Sequence, residues 1–250
     1  MKRIFYIVGL FIFSAESFSQ NIPFQSGEYT SYKIYFSSIW VGNADMEVSK
    51  REINNKESLY IKGTGRTAPF FDFFFKVRDT YETFLDVNTI LPIEFIRDVN
   101  EGGYLINQHY IFNHSENKVI TKDSSYFIPN FTQDMLSAFF YARTLNKEVL
   151  KMRADSTFNI PIFIDNENYN IAIKYLGNEL VNTKWRQIEC MVFQPKMQEG
   201  RIFENGEKMK IWVTDDINRI LIKVETTIWA GKIKATLNNY RGLKRDLSNN

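Results

Sequence analysis

Along most of the chain, apolar and polar side chains alternate with period two, the spacing that sends successive residues to opposite faces of a β-strand. Residues 219–229 show it most clearly: Ile220, Ile222, Val224, Thr226 and Ile228 share one face, and Lys223, Glu225 and Thr227 the other. Residues 28–36 repeat it, with Tyr32, Ile34 and Phe36 set against Tyr29, Ser31, Lys33 and Tyr35. The same reading predicts strands over 39–50, 57–64, 75–86, 91–98, 103–112, 117–122, 158–164, 170–176, 185–194 and 208–214, about a dozen in all.

The joints are short and carry turn residues: Asn54-Asn55, Glu101-Gly102-Gly103, Asn205-Gly206 and Asp215-Asp216-Ile217-Asn218. Short joints make neighbouring strands antiparallel, because parallel crossovers need a dozen or so residues each. One helix is predicted over 132–145, with Thr132 as N-cap, Asp134 in the first turn, Leu136, Phe139 and Phe140 as its apolar stripe, and Arg143 in the last turn. A charged connection follows over 146–157. The fold expected is mainly β: one large antiparallel sheet, too long to stay flat, curled into an open or closed barrel or folded into two packed sheets, with one main helix near 132–145. Residues 20–250 read as a single β-rich domain, divisible into halves over about 24–130 and 157–244 that the helix and the charged connection join.

The first residues depart from this pattern. Met1-Lys2-Arg3 precedes an apolar run from Ile4 to Phe13, and Ser14-Ala15-Glu16-Ser17-Phe18-Ser19-Gln20 follows. A basic start, a short apolar run and a small-x-small exit describe a cleaved signal peptide over 1–19. The run is about half of the roughly 20 residues that a spanning helix needs. The expectation is an exported protein of the periplasm or cell envelope, with no stable transmembrane segment after cleavage.

Composition closes several classes. The 250 residues are 44% hydrophobic, enough to fold, and the 31 basic against 29 acidic side chains, a net charge of +2, are too evenly balanced to argue for a nucleic-acid partner or an anionic surface, which need a concentrated basic face. Aromatic residues reach 16%, with 22 Phe and 13 Tyr, which favours strands, whereas the 12 Gly include no dinucleotide-binding or P-loop string. The one cysteine, Cys190, cannot staple its own chain and reads as a small buried hydrophobe. His109 and His114, the two histidines, fall on a strand and a turn without metal-ligand spacing, so neither a metal nor a cofactor is expected.

Four blocks carry a family resemblance: Gly27-Glu28-Tyr29; Val77-Arg78-Asp79-Thr80-Tyr81-Glu82 before Leu85-Asp86; the string Asp134-Met135-Leu136-Ser137-Ala138-Phe139-Phe140-Tyr141-Ala142-Arg143; and Trp212-Val213-Thr214-Asp215-Asp216-Ile217-Asn218-Arg219. In order and spacing the chain resembles the domain of unknown function 3108 family over roughly residues 24–244. The resemblance implies a bacterial, exported, β-rich protein and no particular activity. Ile220 stands where the family pattern leads one to expect proline.

The most unusual string is Phe70-Phe71-Asp72-Phe73-Phe74-Phe75, followed closely by Arg78. Phe70, Phe71, Phe73, Phe74 and Phe75 are the candidates to line an apolar ligand site, with Arg78 for a head group. The competing reading of the string is a buried strand and turn of a large core. Asp215 and Asp216 read as turn material, although with Asp79 and Glu82 they would be the parts of a glycan- or lipid-acting enzyme if two of them converged in a cleft. Three functions therefore stay open: an exported protein that shelters a lipid-like or other apolar small molecule, an envelope protein–protein interaction module with a filled core, and a carboxylate enzyme. The first is favoured, and an enzyme is the least expected of the three.

Overall fold

The computed structural model describes residues 22–146, 148, 157–197, 209–228 and 231–248. The stretch expected to be a leader, most of the charged connection and the Asn205-Gly206 joint lie outside them.

The alternating stretches do form strands. In chain order they are β1 (Tyr29–Phe36), β2 (Ile39–Ile53), β3 (Lys56–Thr67), β4 (Val77–Asp86), β5 (Pro92–Glu101), β6 (Tyr104–Asn113), β7 (Lys118–Ile120), β8 (Ser125–Phe127), then helix α1 (Ser137–Thr144), then β9 (Thr157–Ile164), β10 (Glu167–Asn182), β11 (Gln187–Met197), β12 (Lys210–Thr214), β13 (Leu221–Ile228) and β14 (Gly231–Arg241). All fourteen belong to one antiparallel sheet in the order β8-β7-β6-β5-β4-β3-β2-β1-β14-β13-β12-β11-β10-β9. Two meanders, β1–β8 and β9–β14, are thus fused where β1 pairs β14, with Tyr32 opposite Leu237.

Turn chemistry fixes the hairpins. Asn54-Asn55 and Asp165-Asn166 all take positive φ, between 52° and 63°, and Gly102-Gly103 takes 58° and 93°. Two left-handed residues in a row give the tight turn whose twist matches the strands on either side, and Asn, Asp and Gly reach that region most cheaply.

The sheet does not close. Its end strands β8 and β9 are not paired with each other; instead the roll overlaps itself. Ile160, Ile162 and Ile164 of β9 pack with Ala138 of α1, whereas Phe163, on the other face, enters a cluster with Phe95, Tyr110, Phe112 and Val119 of β5–β7. Phe163 meets the Tyr110 ring edge-on at 5.1 Å. Arg97 and Gln108 both donate to Asp165 Oδ1 at 3.0 Å, and Asn168 Nδ2 donates to the Phe127 carbonyl at 2.8 Å. Side chains therefore sew the overlap that backbone pairing leaves open.

The crossing from β8 to β9 carries α1 over the concave face. Phe140 lies in a cluster with Phe24, Val48, Leu59, Ile61 and Leu85, and burying such a ring contributes roughly 1.5–3 kcal/mol. The helix starts later than the sequence predicts. Thr132 donates to the Pro129 carbonyl and caps nothing; Gln133 is pulled into a short pairing with β9, its N–H on Pro161 O and its carbonyl accepting from Phe163 N. Asp134 is the true cap: its Oδ1 accepts from the N–H groups of Leu136 and Ser137, both at 2.8 Å, and its own N–H donates to Ser137 Oγ at 2.8 Å. This reciprocal arrangement satisfies the orphan donors of a helix start.

Candidate functional site

Strand β11 is apolar on both faces. Ile188, Cys190 and Val192 face one cluster with Trp212 and Leu247; Met191 and Phe193 face another with Val213, beside Phe158 and Ile173. The second cluster does not fill its space. Between α1 and β9–β12 lies a cavity of about 270 Å³. Its floor is Ile160, Ile171, Ile173, Met191, Phe193, Ile211 and Val213, and its roof is Met135, Ala138, Phe139 and Ala142. That volume is near the lower end of ligand-sized sites, which run from roughly 300 Å³ upward.

Two arginines stand at the helix end of the cavity. Arg143 is buried and saturated: Nη1 donates to Glu28 Oε1 at 2.6 Å, Nη2 to Glu28 Oε2 at 3.0 Å and to the Asn218 and Pro23 carbonyls, and Nε to Asn218 O at 3.2 Å. Arg219, half-buried, donates from Nη1 to the carbonyls of Arg143 and Leu145, the last carbonyls of the helix. Its residue sits at φ 48° in the β12–β13 turn, so the turn aims this side chain at α1. Asp216 holds that turn by accepting from the N–H groups of Asn218 and Arg219 at 2.9 and 3.1 Å. Ile220, standing at the expected proline, donates its N–H to Thr214 Oγ1 at 3.0 Å and is buried; proline has no such donor.

The phenylalanine string lies elsewhere. It occupies the β3–β4 loop, where Phe70, Phe73, Phe74 and Phe75 are exposed by 72%, 89%, 69% and 54%, and Phe71 is half-buried. None of the five lines the cavity. The rings pack on each other, Phe70 on Phe71 at 5.3 Å and Phe73 on Phe74 at 5.4 Å. The buried strand considered as the alternative is not what forms: Phe71–Phe73 make a 3-10 turn with no buried residue. Arg78 is engaged locally, its two Nη atoms on the two carboxylate oxygens of Asp72 at 3.0 and 2.5 Å. That fork lowers the Asp72 carboxyl below its ordinary range.

The four carboxylates of the enzyme reading do not converge. Asp79 and Glu82 fall on opposite faces of β4 by register, Asp79 facing Gly65 and Val99, and Glu82 pairing Lys62 at 3.4 Å while accepting from the Tyr60 hydroxyl. Asp215 and Asp216 sit in the β12–β13 turn, where Asn178 Nδ2 donates to Asp215 at 2.9 Å. Burial pushes Asp79 up to about 6, and Glu101 beside it adds in the same direction. Burial likewise pushes the fully enclosed Asp134 up to about 6 against the three donors around it, and the Cys190 thiol to about 12. His109 meets Glu94 at 2.7 Å, and His114 stacks on Phe112 with a ring nitrogen 2.9 Å from Pro92 O.

The cavity residues escaped sequence reasoning because they come from α1 and four strands. The usable signal was the unbroken apolar runs Cys190-Met191-Val192-Phe193 and Ile160-Pro161-Ile162-Phe163-Ile164, which depart from the alternation of strands such as β13.

Comparison with solved structures supports the same architecture. A β-barrel-like protein of domain of unknown function DUF1849 from Brucella abortus matches at TM-score 0.50 and 10% identity, over 85% of this chain and 96% of its own. A DUF1089 family protein from Pseudomonas aeruginosa matches at TM-score 0.37 and 12% identity, over 81% of this chain and 92% of its own. At 10% identity the first likeness concerns the fold alone, and the second, at its TM-score, adds nothing to the argument. No curated protein matches the chain. The family model described as "Protein of unknown function (DUF3108)" matches residues 31–238, most of the chain, and the chain belongs to that family.

Proposed function

We propose that this is an exported, non-enzymatic cell-envelope protein that shelters a single acyl chain or similar apolar molecule between α1 and β9–β12. Residues 1–19 act as its cleaved leader in this reading, and the remainder works as one β-rich domain. The observation that carries it is the cavity of about 270 Å³ with aliphatic, aromatic and thioether walls. An apolar cavity that opens partly to solvent leaves its lining without the contacts an occupant would make, and a sealed engineered cavity of about 150 Å³ lined by similar side chains takes up benzene. A filled core would have favoured the interaction module instead.

Of the two arginines in the lining, Arg143 is saturated, which leaves Arg219 to meet a polar group. Its Nη1 is committed to the helix carbonyls, and its other guanidinium N–H groups would receive a carboxylate or phosphate head group. The proposed site therefore comprises the β9–β12 floor, the α1 roof and Arg219. The candidates Phe70, Phe71, Phe73, Phe74, Phe75 and Arg78 have no part in enclosing the chain.

The test is native mass spectrometry of protein purified from its own envelope fraction, followed by organic extraction. Expected is one adduct per chain in the mass range of a fatty acid or lysolipid, released on denaturation. Protein that is empty and takes up no added fatty acid contradicts the reading.

A further inference from the structure

The exposed aromatic loop belongs to a larger surface. The β1–β2 turn, the β3–β4 loop and the β5–β6 turn all lie at one end of the sheet. Contacts tie them together: Ala68 N donates to Val41 O and Gly102 N to Lys76 O, both at 2.8 Å. A Cβ on Gly102 would come within 2.5 Å of the Phe75 ring, so that ring covers the β5–β6 turn. Beside Phe70, Phe73, Phe74 and Phe75, this end exposes Ile39 and Trp40 at the start of β2 and Tyr104 and Leu105 at the start of β6.

The loop is held in that posture. Thr67 Oγ1 donates to Asp72 Oδ1 at 2.5 Å and accepts from Val77 N at 3.0 Å, Arg78 forks Asp72, and Phe74 N closes on Phe71 O at 3.0 Å. Scaffolded aromatic tips at adjoining hairpin ends form a projecting edge, which enters a fluid layer more readily than it fits a rigid partner. The charges at this end favour an anionic surface. Arg66 lies opposite Arg78 across β3–β4, Lys76 follows Phe75, and Lys33 Nζ sits 5.9 Å from the Trp40 ring. Of the nearby acids, Asp72 is neutralised by Arg78 and Glu225 is paired with Lys232 at 2.9 Å, so Glu101, next to Asp79, is set against the three basic side chains Lys33, Arg66 and Lys76.

We infer that this end of the sheet docks on an anionic lipid bilayer, the Phe73 and Phe74 rings entering the headgroup–acyl boundary while Lys33, Arg66 and Lys76 meet lipid phosphates. The inference stands on residues separate from the cavity. The two are nonetheless aligned: Phe193 and Ile211 of the cavity pair in register with Val224, Ala235 and Ile34, which leads to the Phe36 end of β1. The cavity's Pro195–Met209 side thus lies toward the proposed docking end.

The test is flotation of the protein with vesicles of phosphatidylcholine alone and with added phosphatidylglycerol. Expected is flotation with the anionic vesicles, weakened by salt, reduced about tenfold or more by Phe73→Ser/Phe74→Ser, and reduced several-fold by Arg66→Glu or Lys76→Glu. The serine variant keeps its fold, checked by circular dichroism, because both rings are solvent-exposed. Ala142→Phe, which blocks the cavity, leaves flotation unchanged, so failure of the ligand reading would not register here. Wild-type protein that does not float, flotation indifferent to the double serine variant, or a dimer that this variant dissolves without any flotation each overturns the inference, the last by making the surface a protein interface.

Discussion

Arg143 Nη1 lies 2.6 Å from Glu28 Oε1, and both side chains are 3% exposed. The pair joins the end of α1 to the residue before β1, and through the Asn218 carbonyl it reaches the β12–β13 turn. The Arg143 guanidinium also sits 5.2 Å from the ring centres of Phe24 and Phe140. Three of the four blocks that carry the family resemblance therefore meet at one buried ion pair. Asn218 completes the junction by bonding the backbone of Arg245 through both side-chain atoms.

Breaking that pair from one side leaves a charge buried without its partner. Glu28→Gln and Arg143→Met are each expected to lower stability by about 3–5 kcal/mol in urea unfolding. The double variant is expected to lose clearly less than the sum, because neither charge remains stranded. Additive losses would show that the two residues act independently.

Asp134 makes stability depend on pH. Its folded-state pKa, about 6, is raised above the unfolded value of about 4. The folded protein therefore binds the proton more tightly, and the contribution is full below about pH 4 and lost as pH rises through about 6. For this buried group the difference amounts to roughly 3 kcal/mol. Asp134→Asn keeps the oxygen that caps Leu136 and Ser137 and removes the titration. Subtracting its urea-unfolding profile from that of wild type between pH 4 and 7 is expected to leave this fall, separated from the opposing slopes of Asp72, Asp86 and Glu225, whose pKa values are lowered.

Cys190 is fully buried, and its thiol is pushed up to about 12 by desolvation. Thiolate is the reacting form, so native protein is expected to resist Ellman's reagent and to react at the rate of global unfolding. Fast labelling of the folded protein, tracked by absorbance, would show that β11 opens locally.

Gly102 adopts φ 58° with the Phe75 ring against it. Gly102→Ala adds both left-handed strain and a clash, and is expected to cost about 1–2 kcal/mol while displacing the Phe75 ring. Urea unfolding gives the first quantity. Stronger binding of a dye that senses exposed apolar surface reports the second.

Much of the sheet was legible because alternation and turn residues agree. Asn54-Asn55 and Gly102-Gly103 mark hairpins by a local backbone requirement that sequence states directly. β14 was harder to see: its apolar positions include small Ala235, and its register with β1 shifts at Ser31/Tyr32. The helix start was misplaced for a tertiary reason, since nothing local announces that Gln133 will pair with β9. Burial of the phenylalanine string was a sound expectation from side-chain chemistry, yet a 3-10 turn pinned by Thr67, Asp72 and Arg78 turns the rings outward. The cavity depends on how far α1 stands from β9–β12, a distance set by Phe140, buried among Phe24, Val48, Ile61 and Leu85, and by the Arg143–Glu28 pair at the end of the helix.

The most direct test of the ligand reading is titration of the delipidated protein with a fluorescent fatty acid, in parallel with Ala142→Phe. Ala142 lines the roof and is half-buried, so a ring there occupies the void at a cost of about 1–3 kcal/mol or less, which leaves the fold intact. The account predicts one saturable site per chain in wild type and none in the variant. Equal uptake by both proteins, or uptake by neither, would contradict it.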